Sequence, residues 1–119
     1  MGTYGGQGDW AELVELDREL GESVEAMRNA GCQLAENERA YRVRLAQRIA
    51  EERAHGMPVS VVGDVCRGDP EVADLKLSRD CSEALYKAAQ EAINVRKLRV
   101  RVVSAQIERE WATVPRQGA

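Results

Sequence analysis

Large side chains that normally build a compact hydrophobic core are scarce in this chain of 119 residues. Phenylalanine is absent and aromatic residues amount to only 4% of the sequence, so a round globular core would lack its usual anchors. The apolar residues that are present are mostly Ala, Leu and Val, mixed with many Glu and Arg residues. This composition is typical of long helices and coiled coils.

Cysteine and histidine are too few and too scattered to indicate a disulfide framework or a metal site. Cys32, Cys66 and Cys81 form no CxxC pair, and His55 is the single histidine. The opening residues "MGTYGGQGD" lack the basic and apolar regions of a signal peptide, and no apolar run approaches the ~20 residues of a membrane-spanning helix. We therefore expect reduced thiols, no metal, no cofactor and a cytoplasmic location.

The chain also has no excess of positive charge and no catalytic motif. Its formal net charge is -3, so nothing draws the whole molecule onto nucleic acid. The patterns GxGxxG, GxxxxGK[ST], GxSxG and HExxH are absent from the sequence. The acidic pairs Glu36/Glu38 and Glu51/Glu52 are more typical of a solvated helix face than of a catalytic dyad. We expect neither an enzyme nor a small-molecule substrate.

A first long helix is predicted over residues 9–55. Asp9 is a suitable N-cap with Glu12 three residues later, as in a capping box. Proline is absent up to Pro58, and Gly56 marks the end of the helix. At about 1.5 Å per residue, this helix would be about 70 Å long, which predicts an elongated molecule. Apolar residues recur three or four positions apart, as on one helix face: Trp10, Leu13, Leu16, Leu20, Val24, Met27, Leu34, Tyr41, Leu45 and Ile49.

A second long helix is predicted over residues 70–112. Asp69 is a good N-cap, and Pro70 fits the first helical position. The segment "VRKLRVRVV" within it alternates like a strand, but it continues a strong helical pattern and has no second strand with which to pair. The predicted apolar stripe of this helix contains Val72, Leu75, Cys81, Leu85, Ala88, Ala92, Val95, Val102, Ala105 and Trp111.

Between the two helices, residues 56–69 form a tip with the sequence "GMPVSVVGDVCRGD". A short helix from about Pro58 to Cys66 is predicted here, because the segment is too long for a minimal turn. One interpretation is an apolar cap that closes the end of the helical core. The sequence leaves open whether this tip only caps the core or also docks a protein partner. The residues expected to carry that contact are Val59, Val61, Val62, Val65 and Arg67.

An alternative interpretation of the same region is nucleic-acid binding. The tip loosely resembles helix-turn-helix units, but its second helix would begin "DPEVADLKLSRD", which is acidic where phosphate contacts need Lys or Arg. The basic segment "RKLRVR" is a further candidate, although no aromatic residues lie nearby to stack bases. Its basic patch consists of Arg96, Lys97, Arg99 and Arg101.

The distribution of charge favours folding the two helices back on each other. Residues 9–38 carry nine acids and two bases, whereas residues 96–101 carry four bases and no acid. With a turn centred near residue 63, position i lies opposite position 126 − i, which places the basic segment beside residues 25–30. Exposed ion pairs contribute only tenths of a kcal/mol each, so these charges would set register more than stability.

The stretches "RLAQRIAEERAHGMPVSVVGDVCRG" and "GDPEVADLKLSRDCSEALYKAAQEAINVRKLRVRVVSAQIEREW" resemble small helical proteins encoded by bacteriophages and prophages. The resemblance covers residues 38–111 and is most specific at "GMPVSVVGDVCRGD" and "ALYKAAQEAIN". It implies a helical phage accessory protein in a bacterial host cell, and it brings no catalytic residues.

Together these patterns predict an all-α protein: an elongated, coiled-coil-like antiparallel hairpin of two helices with a short helical tip. Two helices alone bury little surface, so we expect a homodimer or a protein partner. The expected function is a non-enzymatic protein–protein interaction module that binds a host or phage complex, with nucleic-acid binding as the alternative. The predicted parts are a flexible Gly-rich tail (1–8), a helical hairpin (9–112, with helix 9–55, tip 56–69 and helix 70–112) and a disordered tail (113–119).

Overall fold

A computed structural model of the chain describes the backbone of residues 5–113 and the side chains of residues 8–113. It contains three helices: α1 (Gly5–Ala54), α2 (Val59–Arg67) and α3 (Pro70–Thr113). No strand occurs within the described residues, and the strand-like segment "VRKLRVRVV" is part of α3. The predicted all-α class is therefore confirmed.

The helices contribute to two compact units. Unit 1 comprises Met1–Ala26 and Ala89–Ala119, and unit 2 comprises Met27–Ala88. Each unit thus combines a part of α1 with a part of α3, and α2 belongs to unit 2.

Helix α1 begins earlier than the sequence pattern predicts. Residues 5–8, predicted as tail, lie in its first turns, and Asp9 lies inside the helix instead of capping it. Extending a helix by one turn costs far less than nucleating one, so a weak N-cap candidate does not fix the boundary. Residues 1–4 of the predicted first tail and 114–119 of the predicted last tail lie outside the described residues.

The C-terminus of α1 is closed by a glycine in the left-handed region. Gly56 has a φ of 94°, and its N–H donates to the carbonyl of Arg53 at 3.0 Å. The N–H of Met57 donates to the carbonyl of Glu52 at 3.0 Å, which completes a Schellman motif. Gly56 therefore ends α1 where the sequence predicts, and Pro58 follows as the N-cap of α2.

The start of α3 also follows its sequence signals. The Asp69 carboxylate accepts a hydrogen bond from the N–H of Val72 at 3.3 Å, and the Asp69 carbonyl accepts one from Ala73 at 2.8 Å. Pro70 occupies the first helical position, where its missing N–H is not needed. The predicted N-cap of α3 is confirmed.

In unit 2, α1 and α3 run antiparallel around a small core. Gly31 lies against Tyr86, Asn37 against Ser82, and Arg48 against Asp69. The numbers in each pair add up to about 117–119, so the predicted register of 126 − i is wrong. Residues 55–58 connect α1 to α2. The fully buried side chains of this unit are Cys66 and Val72.

In unit 1, α1 and α3 combine apolar packing with ion pairs between the two helices. Leu16 from α1 and Val103 from α3 are buried, as is Ile93. The Arg99 guanidinium pairs with the Glu12 carboxylate at 2.7 Å. The predicted opposition of the acidic and basic segments is thus confirmed, but it involves residues near 12 and 19 instead of 25–30.

The buried face of α3 is not the stripe that its apolar residues predict. Val72 is buried and Leu75 half-buried as expected, but the face then continues through Ser82, Tyr86 and Ile93. Polar residues occupy part of the helix contact, while apolar residues of the predicted stripe lie outside it. Those exposed residues are Cys81, Leu85, Ala88, Val95, Val102 and Trp111.

Candidate functional site

Helix α2 separates the four valines of the tip into buried and exposed residues. Val62 is 6% exposed and Cys66 is fully buried, so one valine and one cysteine form the cap of the core. Val61 and Val65 are about half exposed and lie one turn apart. At about 100° per residue, they share a face that is turned about 100° from the buried one. Val62 was predicted as a partner contact, and in the structure its side chain is packed in the core.

The other two tip residues are not on the face of Val61 and Val65. Val59 is 70% exposed at the first position of α2. Arg67 lies at the last position and contacts the Asp64 carboxylate at 3.3 Å. Arg67 lines an open groove of about 430 Å³ along α1. Of the five predicted tip residues, the structure brings only Val61 and Val65 together as one exposed apolar face.

Half of the predicted basic patch is engaged within unit 1. Arg99 donates two hydrogen bonds to Glu12 Oε1, and Arg96 Nε lies 3.9 Å from Glu19 Oε2. Lys97 and Arg101 are exposed and take part in none of the ion pairs found among residues 8–113. The segment thus presents two available cations instead of four, which weakens its case as a nucleic-acid surface.

One residue of each acidic pair suggested by the sequence, Glu38 and Glu51, has a lowered pKa. Hydrogen bonds from Arg42 and then Arg79 hold the pKa of Glu38 below its ordinary value. Arg48 and then Arg44 lower the pKa of Glu51 in the same way. A general acid needs a raised pKa near neutrality, so neither residue suits that role. Glu38 pairs with Arg42 of α1 and Arg79 of α3, and Glu51 pairs with two arginines of α1.

A polar contact joins α1 and α3 in unit 2. Asn37 Nδ2 donates to Ser82 Oγ at 2.5 Å, and Ser82 Oγ donates to the Ser78 carbonyl at 3.0 Å. Arg79 forms ion pairs with Glu38 and Glu83 beside it. These hydrogen bonds can form in only one register of α1 and α3, so they fix how the two helices are aligned in unit 2.

Unit 1 contains a surface that the sequence reasoning missed. An open groove of about 410 Å³ runs between α1 and α3. The sequence placed Trp10 in the buried stripe, yet Trp10 is 61% exposed at this groove. The sequence contains one signal that this face is exposed, because the charged residue Asp17 lies on the same face of α1 as Trp10. The groove is lined by Trp10, Leu13, Val14, Asp17, Leu20, Val100 and Ser104.

Among the described residues, no helix combines the length and the apolar character needed to cross a bilayer. The candidate surfaces are the exposed apolar face of α2 and the apolar groove of unit 1, which contains Asp17. Comparisons with protein-family models, with curated proteins and with solved structures gave no match.

Proposed function

We propose that this protein is a non-enzymatic interaction module that binds another protein through the exposed face of α2. In this proposal the whole chain is an antiparallel hairpin, with α1 and α3 as its arms and α2 at its tip. The observation that carries the proposal is the exposure of Val61 and Val65 beside the buried Val62. A nine-residue helix needs only one apolar face to hold it on the core, so a second face is available for a partner.

The charges around α2 favour a protein over a nucleic acid as its partner. Asp64 and Arg67 pair with each other, and Asp69 caps α3 while facing Arg48. Glu71, in the first turn of α3, pairs with Arg44. A recognition helix that begins with carboxylates would repel phosphates. An apolar contact would instead retain its affinity when the salt concentration rises.

The proposal includes a phage or prophage accessory role in the cytoplasm of a bacterial cell. It rests on the resemblance of residues 38–111 to small phage-encoded helical proteins. The partner would then be a protein of a host or phage complex, and the hairpin would present α2 to it.

The test compares the parent chain with V61D/V65D in capture experiments from a bacterial lysate. The matched control is L77D/L85D, which places the same charges on two exposed apolar residues of α3. We expect all three chains to melt alike, and only V61D/V65D to lose the captured protein. Equal capture by V61D/V65D and by the parent would rule out α2 as the binding face.

A gel-shift experiment tests the alternative function. Parent and K97E/R101E are mixed with single- and double-stranded DNA at low and physiological salt. We expect no shift at physiological salt for either chain. A shift by the parent that weakens steeply with salt and disappears in K97E/R101E would favour nucleic-acid binding instead.

A further inference from the structure

The groove of unit 1 exposes large apolar side chains of α1. Trp10 is 61% exposed and Val14 57% exposed, one turn apart on α1. Val100 and Ser104 form the opposite wall on α3. Trp111 lies seven residues after Ser104, hence on the same face of α3, and is 74% exposed. Both tryptophans of the chain are thus exposed in this unit.

Charges of opposite sign border the same groove. Asp17 is part of its lining on the α1 side. On the α3 side, Lys97 lies seven residues before Ser104, and Arg101 three residues before it, so both lie beside that wall. None of the ion pairs among residues 8–113 includes Asp17, Lys97 or Arg101. These three charges contrast with Arg96 and Arg99, which pair within the unit.

The charge of unit 1 is divided between its two helices. Residues 9–26 of α1 carry seven acids and one base, whereas residues 96–101 of α3 carry four bases and no acid. A surface that has an acidic side and a basic side is complementary to a second copy of itself rotated by a two-fold axis. In that arrangement α1 of each copy lies against α3 of the other.

We infer that a second copy of this chain covers the groove of unit 1, forming a two-fold dimer. Trp10 and Val14 of each copy contact the groove of the other, and Asp17 faces Lys97 and Arg101 across the interface. Exposed tryptophans supply the apolar anchors that such interfaces use, and the peripheral charges set the alignment. The dimer uses a different surface from α2, so it does not depend on the proposed function.

The first test is the oligomeric state, measured by sedimentation equilibrium. We expect a dimer for the parent, and a dissociation constant raised about 100-fold in V14E, because a carboxylate would replace an apolar contact in the groove. The matched control V43E alters a valine of similar exposure in unit 2 and leaves the dissociation constant unchanged. A parent that is monomeric at about 100 μM overturns the inference, whatever α2 binds.

The second test uses charge reversal in both walls. D17K and K97E/R101E each place like charges across the interface, so each variant alone should dissociate at least about 10-fold more readily than the parent. Mixed in equal amounts they should form a heterodimer, since both of its interfaces then oppose unlike charges. The heterodimer is detected by native mass spectrometry with one chain isotope-labelled.

Two results of the mixing experiment contradict the inference. If the mixture stays monomeric while each variant melts like the parent, the charges do not meet across a dimer interface. If D17K and K97E/R101E remain dimeric alone, the copies associate through another surface. Formation of the heterodimer on mixing would also show that both variants are folded. An unfolded chain would not form a dimer because its charges complement those of the other chain.

Discussion

Asn37 on α1 and Ser82 on α3 form a hydrogen bond across unit 2, with Asn37 Nδ2 lying 2.5 Å from Ser82 Oγ. Ser82 is buried, at 6% exposure. Its hydroxyl accepts from Asn37 and donates to the Ser78 carbonyl, so both of its hydrogen-bonding roles are used. The contact therefore selects one register at little cost in stability.

Ser82→Ala should lower the free energy of unfolding by about 1 kcal/mol, because Asn37 loses its buried acceptor. Asn37→Ala should cost a similar amount, and the double variant should cost less than the sum of the two. Urea denaturation of the four chains measures this coupling. Ser60→Ala, at an exposed serine of α2, is the matched control and should leave stability unchanged. Strict additivity would show that the two side chains act independently.

Gly21 and Gly31 lie in the same helix but should respond differently to Ala. A Cβ at Gly21 meets nothing within 4 Å, so Gly21→Ala should raise the free energy of unfolding by about 0.5–1 kcal/mol. A Cβ at Gly31 would lie 3.3 Å from Cε2 of Tyr86, so the ring must shift and part of this gain is lost. Thermal unfolding compares the two variants. Equal stabilisation would mean that the Tyr86 ring moves freely.

Local sequence signals predicted the ends of the helices in the middle of the chain. Gly56 is required where α1 closes in the left-handed region, and Asp69 caps α3 by a side-chain hydrogen bond. Both signals depend on one or two residues and on backbone geometry, so they can be read without knowledge of packing. The start of α1 has no such strong signal, and there the prediction was wrong by four residues.

The helix faces were harder to predict, because α3 carries apolar residues on more than one side. The predicted apolar stripe of α3 includes Val95 and Val102, yet both are more than half exposed. The true contact face includes Ser82, a polar residue that pattern analysis excludes. Its partner Asn37 lies 45 positions away in sequence, so only the register of the folded unit could show the pairing.

The candidate surfaces were predicted only in part, because the sequence does not show which side of each helix faces the core. The sequence identified the valines of the tip and the basic segment, but not which members of each set the core would use. Val62 is buried, and Arg99 is paired with Glu12. Helix rotation and long-range contacts decide which residues stay exposed. These residues are Val61 and Val65 on α2, and Lys97 and Arg101 on α3.

Stability should fall in acid as the carboxylates of unit 2 become protonated. The folded-state pKa of Glu38 is lowered by its hydrogen bonds from Arg42 and Arg79, whereas in the unfolded chain it is about 4.3. Its contribution is therefore fully present above about pH 4.3 and is lost as the pH falls through the lower folded-state value. The midpoint of thermal unfolding should decrease between about pH 5 and pH 3.

Glu38→Gln should weaken this acid dependence, because it removes a group that titrates differently in the folded and unfolded states. Glu36→Gln removes the same charge two residues away and serves as the control. Unfolding curves recorded at each pH for the three chains make the comparison. An acid dependence that is identical in the parent and in Glu38→Gln would show that the Glu38 pairs do not contribute to stability.

The three cysteines should divide into two reactive thiols and one protected thiol. Cys32 and Cys81 are exposed, whereas Cys66 is fully buried between α2 and the core of unit 2. A thiol reagent such as DTNB reaches Cys66 only when α2 opens or the protein unfolds, so its rate should follow unfolding. We expect two thiols to react quickly in the folded protein and the third only in denaturant.

Cys66→Ala should abolish the slow phase and also destabilise the fold, since it leaves a small cavity beneath α2. Three fast thiols in the folded protein would mean that α2 is not held on the core as the buried Cys66 requires.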